Sequence, residues 1–240
     1  MLKIIAAVFS LIVLAGCNSG GNNVVDTIKK NPSRGHLVKQ SENTNFADMR
    51  AGTKHNSHVL IRIFKLEREL EVWKKNASGR YVKVVSYPIC GMSGALGPKL
   101  REGDRQAPEG FYTVTSRQMN YQSTQFLSFN TGYPNQFDKL HGRTGSYLMI
   151  HGGCSSIGCY AIEDEPMSNL FAAMRDAFKN KQKQIQVQIY PFHMTDAHMQ
   201  TYKSHKHYDF WQQLKAGYDR FNQTRQELKV SVVNKRYVVD

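Results

Sequence analysis

Apolar and polar residues alternate along several short stretches in the first half of the chain. The clearest are residues 58–65, 69–74 and 81–89, with Asn76-Ala77-Ser78-Gly79 as a turn between the last two. Alternation with a period of two is typical of a strand with one buried face, so we expect three successive antiparallel strands here. Further strands are predicted at residues 111–115, 126–129, 146–150, 185–189 and 228–238.

Helical periodicity occurs only later in the chain. Residues 166–180 and 210–224 place their apolar side chains three and four positions apart, which gives each segment one apolar face. Thr195 and Asp196 offer caps for a further short helix. Residues 90–109, with four glycines and two prolines, are predicted to form a long loop or lid. The sequence therefore predicts a mainly β domain with α-helices in its C-terminal third.

The N-terminus has the features of an export signal. Residues 1–16 hold one lysine and an apolar run too short to span a bilayer, which is typical of a signal peptide. Leu14-Ala15-Gly16-Cys17 resembles the lipobox of bacterial lipoproteins, in which the cysteine carries the lipid. We therefore expect a domain anchored through lipidated Cys17 on the periplasmic side of the cell envelope, with Asn18 favouring the outer membrane.

The rest of the chain divides into a tether and one domain. Residues 17–56 are rich in Asn, Gly, Ser and Lys and are interpreted as a flexible tether, and residues 57–240 are long enough for one domain. The net charge of +13 favours an anionic partner such as cell-wall polymer or lipid head groups, although a solvated basic surface is also compatible. No dense basic run with interleaved aromatics is present, so no nucleic acid is expected.

Residues 141–160 combine histidine and cysteine with hinge glycines. His151 ends an apolar run, two glycines follow it, and Cys159 comes directly after Gly158. A histidine near a cysteine favours the thiolate, which is the attacking form of the side chain. The hypothesis is a Cys-His site for acyl transfer, with Cys159 as the nucleophile and His151 as the proton acceptor and donor.

Other cysteines and histidines leave alternatives open. Cys154 is a competing nucleophile, and His141, which also precedes a glycine, is a competing base. In an oxidising compartment Cys90 and Cys154 could pair and leave Cys159 free. Two unpaired thiols are equally compatible with the sequence, because pairing cannot be deduced from it.

Two groups of residues have side chains that bind metals. The first is His151, Cys154 and Cys159, whose spacing matches no standard zinc pattern and which lacks an evident fourth ligand. The second is a late group without a pattern of acidic partners, interpreted as solvated surface: His193, His198, His205 and His207. Neither metal nor another cofactor is expected.

Together these motifs resemble the L,D-transpeptidase (YkuD-like) catalytic domain. The resemblance rests on Ala107-Pro108-Glu109-Gly110-Phe111-Tyr112, on His151-Gly152 and on Gly158-Cys159. The closer match is the YafK-like branch, through His141-Gly142-Arg143-Thr144-Gly145, Phe192-His193-Met194-Thr195-Asp196 and residues 210–219. The resemblance covers residues 57–240 and implies a β-sandwich-like or barrel-like scaffold with the cysteine and histidine in a groove.

The resemblance also implies roles for single residues. Cys159 is the nucleophile, His151 moves the proton, and the backbone N–H groups of Gly158 and Cys159 hold the oxyanion. Ser156 and Tyr160, beside the nucleophile, are expected to contact substrate. Ile157 and Tyr160-Ala161 stand where most of the family has His and an apolar-Arg pair. The missing arginine's contact with a carboxylate is therefore expected from Arg143 or Arg117.

The implied function is peptidoglycan modification in cell-wall biogenesis and cell shape. Cys159 would attack the L-centre carbonyl of the stem-peptide diamino acid and transfer the acyl group to an amine. The departures beside Cys159 leave open a hydrolase, either an amidase or an L,D-carboxypeptidase, that releases a wall-bound lipoprotein or trims stem peptides. A catalytically idle wall-binding lipoprotein is the hypothesis from another class. The expected partners are stem peptides, a wall-attached lipoprotein and the membrane.

Overall fold

The computed structural model describes Asp48 and residues 51–240. The signal peptide expected at 1–16, Cys17 and most of the tether expected at 17–56 lie outside the described residues. The described part is rich in sheet, with twelve strands in three sheets and four α-helices. None of these helices is long and apolar enough to cross a membrane. The expectation of a mainly β fold with late helices is confirmed.

The elements follow the chain in this order. The strands are β1 (Val59–Phe64), β2 (Glu69–Lys75), β3 (Tyr81–Pro88), β4 (Gly91–Met92), β5 (Gly110–Val114), β6 (Met119–Asn120), β7 (Ser128–Asn130), β8 (Met149–His151), β9 (Tyr160–Ala161), β10 (Ile185–Tyr190), β11 (Val230–Val233) and β12 (Arg236–Val239). The helices are α1 (Gln136–Leu140), α2 (Asp164–Lys179), α3 (Asp196–Thr201) and α4 (Tyr208–Thr224), with a 3-10 turn at Ser116–Gln118.

The first sheet has the order β3-β2-β1-β10-β5. The three predicted antiparallel strands form one half of it, as expected. β10, predicted only as a strand, runs parallel to β1 and separates it from β5. Every residue of β1 and β10 is buried, since both faces of this sheet are covered. The prediction of one buried face was therefore wrong for β1.

Arg62 is the clearest exception to the expected alternation in β1. Its side chain is 3% exposed, and its guanidinium lies 4.8 to 5.7 Å from the centres of five aromatic rings: Phe64, Trp73, Tyr190, Tyr218 and Phe221. Contact between a guanidinium and ring faces is favourable, more so without water. Arg62, a polar residue of the alternating pattern, is therefore part of an aromatic core.

The second sheet has the order β4-β9-β8-β7-β6, and β11 pairs with β12 as a separate hairpin. The main apolar core contains residues of both large sheets and of α2, such as Ile61, Ile150 and Phe171. A second core covers the other face of the first sheet and contains Trp211 and Phe221 of α4. The second sheet carries the residues expected to be catalytic.

A buried ion pair joins the first sheet to the loop at 90–109. Lys65, just after β1, lies 3.0 Å from Glu109, just before β5, and both side chains are 1% exposed or less. Glu109 also accepts hydrogen bonds from the Gly97 N–H at 2.6 Å and the Trp211 indole at 2.8 Å. Lys65 Nζ donates to the carbonyls of Ala95, Gly97 and Ala107. The segment predicted as a long loop or lid is therefore held in place by its hydrogen bonds to these two buried side chains.

We expect Lys65→Met to lower the free energy of unfolding by about 3–5 kcal/mol, because it leaves the Glu109 carboxylate buried without a cation. Urea unfolding followed by circular dichroism measures the loss. Lys83→Met is the matched control, since Lys83 pairs with Glu71 but is 46% exposed, and its loss should stay below about 1 kcal/mol. Equal losses in the two variants would contradict the role given to Lys65.

Candidate active site

The strands β8 and β9, which end and begin beside His151 and Cys159, are paired with each other. β8 and β9 are parallel, with Ile150 opposite Tyr160 and His151 opposite Ala161. Side chains of opposed residues share a face, and neighbours along a strand point to opposite faces. Ile150 and Tyr160 are fully buried in the core, so His151 and Cys159 both belong to the other face. This register brings the predicted nucleophile and base to the same side of the sheet.

His151 is held by its own loop. Its ring is 5% exposed, and Nδ1 lies 2.7 Å from the carbonyl oxygen of Gly152. A carbonyl oxygen can only accept, so Nδ1 carries the proton of this contact and Nε2 of the neutral ring keeps its lone pair. No hydrogen bond joins the ring to Cys159 in the described part of the chain, and such contacts often form only with substrate. The arrangement suits Nε2 as the proton acceptor.

The competing base, His141, lies elsewhere. It caps the end of α1, is exposed, and its Nδ1 contacts the Phe137 carbonyl at 2.9 Å. Its ring stacks on Phe137 with 4.1 Å between the ring centres. Nothing in these contacts turns His141 toward Cys159.

The Cys159 thiol lies between two backbone groups. The Met149 N–H donates to Sγ at 3.3 Å, and the thiol donates to the Tyr147 carbonyl at 3.7 Å. Tyr147 has a left-handed backbone with φ of 52°, so the strand predicted at 146–150 begins only at Met149. Burial raises the pKa of Cys159, while the Met149 N–H and the charge of Lys99 act to lower it. The thiol is therefore protonated near neutral pH until a base takes its proton.

The structure resolves the pairing that the sequence left open. Cys90 and Cys154 form a disulfide with 5.1 Å between their Cα atoms, and Cys159 is the free cysteine of the described residues. Cys154 is thereby removed as the competing nucleophile, and also as a metal ligand with His151. The bond ties the loop between β8 and β9 to the chain just before β4.

Gly158 requires its glycine because its φ is 82°. Its N–H, expected at the oxyanion, donates to Ser93 Oγ at 2.7 Å, so a bound oxyanion would have to displace this hydroxyl. Nothing in the sequence marks Ser93 beyond its place in the loop at 90–109. Ser156 Oγ is buried without a hydrogen-bond partner, so this expected substrate contact is also not open to a ligand as placed.

The other expected substrate contacts lie deeper in the protein. Tyr160 is fully buried, and its hydroxyl donates to the Pro108 carbonyl at 2.6 Å. Arg143 is 8% exposed and paired with Asp138 at 2.8 Å. As placed, both support the fold and neither is open to a ligand. Arg117 is exposed on the 3-10 turn.

Two of the four histidines late in the chain, His193 and His198, do have acidic partners, so that part of their interpretation was wrong. His193 Nε2 lies 2.9 Å from Glu69, and Glu71 is close enough to form a three-residue group with them. The sequence could not show this because the glutamates lie on β2, far from His193 in the chain. Glu71 is already bound by Lys83 at 3.0 Å and by the Trp73 indole at 2.8 Å, which leaves little for a metal.

Replacing both Cys90 and Cys154 by Ser should lower the free energy of unfolding by about 2–5 kcal/mol, since the unfolded chain loses its cross-link. Urea unfolding without reductant measures the loss, and reduced wild-type protein should match the double variant. Cys159→Ser, which breaks no cross-link, is the control. Unchanged stability of the double variant would argue against the disulfide.

The pH dependence of alkylation should follow from the burial of Cys159. We expect the rate with iodoacetamide to rise with pH, with a midpoint above that of glutathione, because burial raises the pKa of this thiol. Mass spectrometry of the peptide that contains Cys159 measures the rate in the full chain. A midpoint at or below that of glutathione would show a thiol already ionised in the free protein.

Comparison with known proteins identifies relatives over most of the chain. No family profile matches. YafK of Escherichia coli K12, provisionally named an L,D-transpeptidase, is 49% identical over 183 residues, which are 76% of this chain and 74% of YafK. YafK of E. coli O157:H7 gives the same values.

Two solved structures are also similar. The helical cell shape determining protein Pgp2 from Campylobacter jejuni has a TM-score of 0.45 and 20% identity, covering 82% of this chain and 81% of Pgp2. Bd1075 from Bdellovibrio bacteriovorus has a TM-score of 0.40 and 24% identity, covering 59% and 51%. The 49% identity to YafK over 76% of the chain shows by itself that the chain belongs to the YafK-like branch of the L,D-transpeptidase family.

Proposed function

We propose that the protein is a cysteine-dependent L,D-transpeptidase that modifies peptidoglycan stem peptides. The observation that carries this proposal is the parallel register of β8 and β9, which puts Cys159 and His151 on one face of the sheet. The identity to YafK supports the reaction class. The substrate class follows from family membership together with the expected export of the chain.

The local contacts suit the first chemical step. His151 Nε2 accepts the proton of Cys159 as Sγ attacks the L-centre carbonyl of the diamino acid, so a C–S bond forms and the carbonyl oxygen becomes an oxyanion. Backbone N–H groups of the loop before Cys159 stabilise that oxyanion. The C–N bond then breaks, and His151 returns its proton to the departing amine. The product is a thioester on Cys159.

The second step decides between transfer and hydrolysis. In transpeptidation an amine attacks the thioester, and His151 accepts its proton while the Cys159 sulfur leaves. Water attacking the same carbonyl would make the protein an amidase or an L,D-carboxypeptidase. Ser156 is the proposed contact for the bound peptide, which would require its buried hydroxyl to turn outward. The role of Arg143 as a carboxylate contact would require it to leave Asp138.

The proposed place of action is the periplasm. The lipobox-like sequence at 14–17 supports a lipid anchor at Cys17, with the outer membrane favoured. The tether at 17–56 would then let the domain reach the wall. A wall-attached lipoprotein is a proposed partner on the same basis.

Cys159→Ala should abolish turnover of purified disaccharide-peptide fragments, because no other described cysteine is free and the thioester cannot form. Liquid chromatography with mass spectrometry measures the products. Ser155→Ala changes an exposed residue of the same loop and should retain wild-type turnover. Turnover that persists in Cys159→Ala would show that Cys159 is not the nucleophile. A wild-type protein that is inactive on every wall substrate would favour a catalytically idle wall-binding protein.

Mass spectrometry of digested sacculi separates the two outcomes of the thioester. New cross-links after incubation with the protein indicate transfer to an amine. Loss of attached residues, or trimmed stems without new cross-links, indicates hydrolysis. Cys159→Ala protein is the matched control for both readouts.

A further inference from the structure

The loop beside Cys159 holds one cation in a fixed position. Lys99 is 4% exposed, and its Nζ donates to Asp104 at 2.5 Å and to the Arg101 carbonyl at 3.0 Å. An ammonium group has three donors, so one remains unused by these two contacts. Lys99 is thus a buried positive charge whose geometry is set by its own loop.

Asp104 anchors this cation. Its carboxylate accepts hydrogen bonds from Lys99 and from the backbone N–H groups of Leu100, Arg101 and Gln106. Burial acts to raise the pKa of Asp104, but these donors hold it at about 2. The carboxylate therefore stays charged across the range in which a thiol ionises.

The loop at 99–106 packs directly on the segment that holds the thiol. The Thr144 N–H donates to the Leu100 carbonyl at 3.1 Å, and the Glu102 N–H donates to Thr144 Oγ1 at 3.1 Å. A Cβ on Gly145 would lie 2.6 Å from Lys99 Cε and 3.6 Å from Leu148 Cδ2.

Leu148 continues these contacts toward the nucleophile. Its Cδ1 lies 3.7 Å from a Cβ built on Gly158, the residue before Cys159. Leu148 is also followed by Met149, whose N–H donates to Cys159 Sγ. Lys99 and Leu148 thus both border Gly145, and Leu148 in turn borders Gly158, so the Lys99 side chain lies two neighbours away from the loop that holds the thiol.

We propose that Lys99 is a positioning residue of the active site that stabilises the Cys159 thiolate through its charge. The argument rests on the proposed function, since it takes Cys159 as the nucleophile. Of the two arginines expected to supply the site's positive charge, Arg143 is occupied by Asp138, and Lys99 is a buried alternative to the exposed Arg117. Lys99 acts once His151 has taken the proton and the half-buried sulfur is negative. The fixed charge of Lys99 then offsets the cost of holding this thiolate away from water.

Other titratable and charged groups face this region. They are His151 on β8 and, on the loop with Lys99, Glu102, Asp104 and Arg105. Glu102 accepts from the Ser146 hydroxyl at 3.2 Å and is exposed, as is Arg105. Exposed charges are screened by solvent, so Glu102 and Arg105 act on the thiol less strongly than the buried charge of Lys99 does.

The test is the pH profile of Cys159 alkylation by iodoacetamide in the full-length protein, followed by mass spectrometry of its peptide. Lys99→Met should raise the midpoint by about one pH unit, the lower end for loss of a nearby opposite charge. Lys99→Arg keeps the charge and should return the midpoint close to wild type. Lys83→Met, which removes a cation paired with Glu71 on the first sheet, should leave it unchanged.

The double variant Lys99→Met/Asp104→Asn separates the lysine from its partner. A midpoint above that of Asp104→Asn alone supports a direct effect of Lys99, and equal midpoints in these two variants overturn it, because the shift in Lys99→Met then came from an unpaired Asp104. Asp104→Asn alone keeps Lys99 and removes its counter-charge, so the midpoint should fall. If circular dichroism shows that Lys99→Met does not fold, the test rests on Asp104→Asn alone. An unchanged midpoint in Asp104→Asn then overturns the proposal.

Alkylation needs no substrate, so this result is independent of turnover. Shifted midpoints together with an inactive wild type would uphold the coupling of Lys99 to Cys159 and reject the proposed function. Unshifted midpoints together with normal turnover of fragments would reject the coupling of Lys99 to Cys159 and uphold the proposed function.

Discussion

The buried pair of Lys65 and Glu109 is the constraint on which the site depends. A charge of either sign in this core is tolerated only with its partner and with several hydrogen bonds, and here those bonds reach the loop at 90–109 and Trp211 of α4. The same loop carries Lys99 and Ser93, whose hydroxyl accepts from the N–H of Gly158, the residue before Cys159. The strand end at Lys65 therefore fixes the position of groups far from it in the chain.

Local patterns located most of the longer elements and selected the candidate nucleophile and base. Alternation located β1 to β3, and helical periodicity located α2 and α4, because both patterns reflect burial of one face over neighbouring residues. The pairing of β10 with β1 is a contact between distant segments, and no local pattern records it. The left-handed Tyr147 is likewise invisible, since only its tertiary contacts show why it interrupts the expected strand.

The candidate site also divides into residues that local sequence patterns reveal and residues that only the fold reveals. Cys159, His151 and Gly158 stand within one short stretch, so motif and spacing were enough to select them. Ser93, Lys99 and the disulfide depend on how residues 90–106 fold back, which only coordinates reveal. Arg143 was chosen for its charge, yet charge alone does not tell whether a guanidinium meets a ligand or an internal carboxylate such as Asp138.

Tyr160 carries a consequence for how the substrate range of such a protein could change. Its side chain is wholly internal, although Cys159 is its neighbour, so variation at this position is limited by packing against Pro108. Tyr147 and Ile157 are 78% and 71% exposed and lie just before β8 and β9, next to the candidate pair. Relatives could therefore diverge in what they accept by exchanging these two surface side chains while the scaffold beneath stays the same.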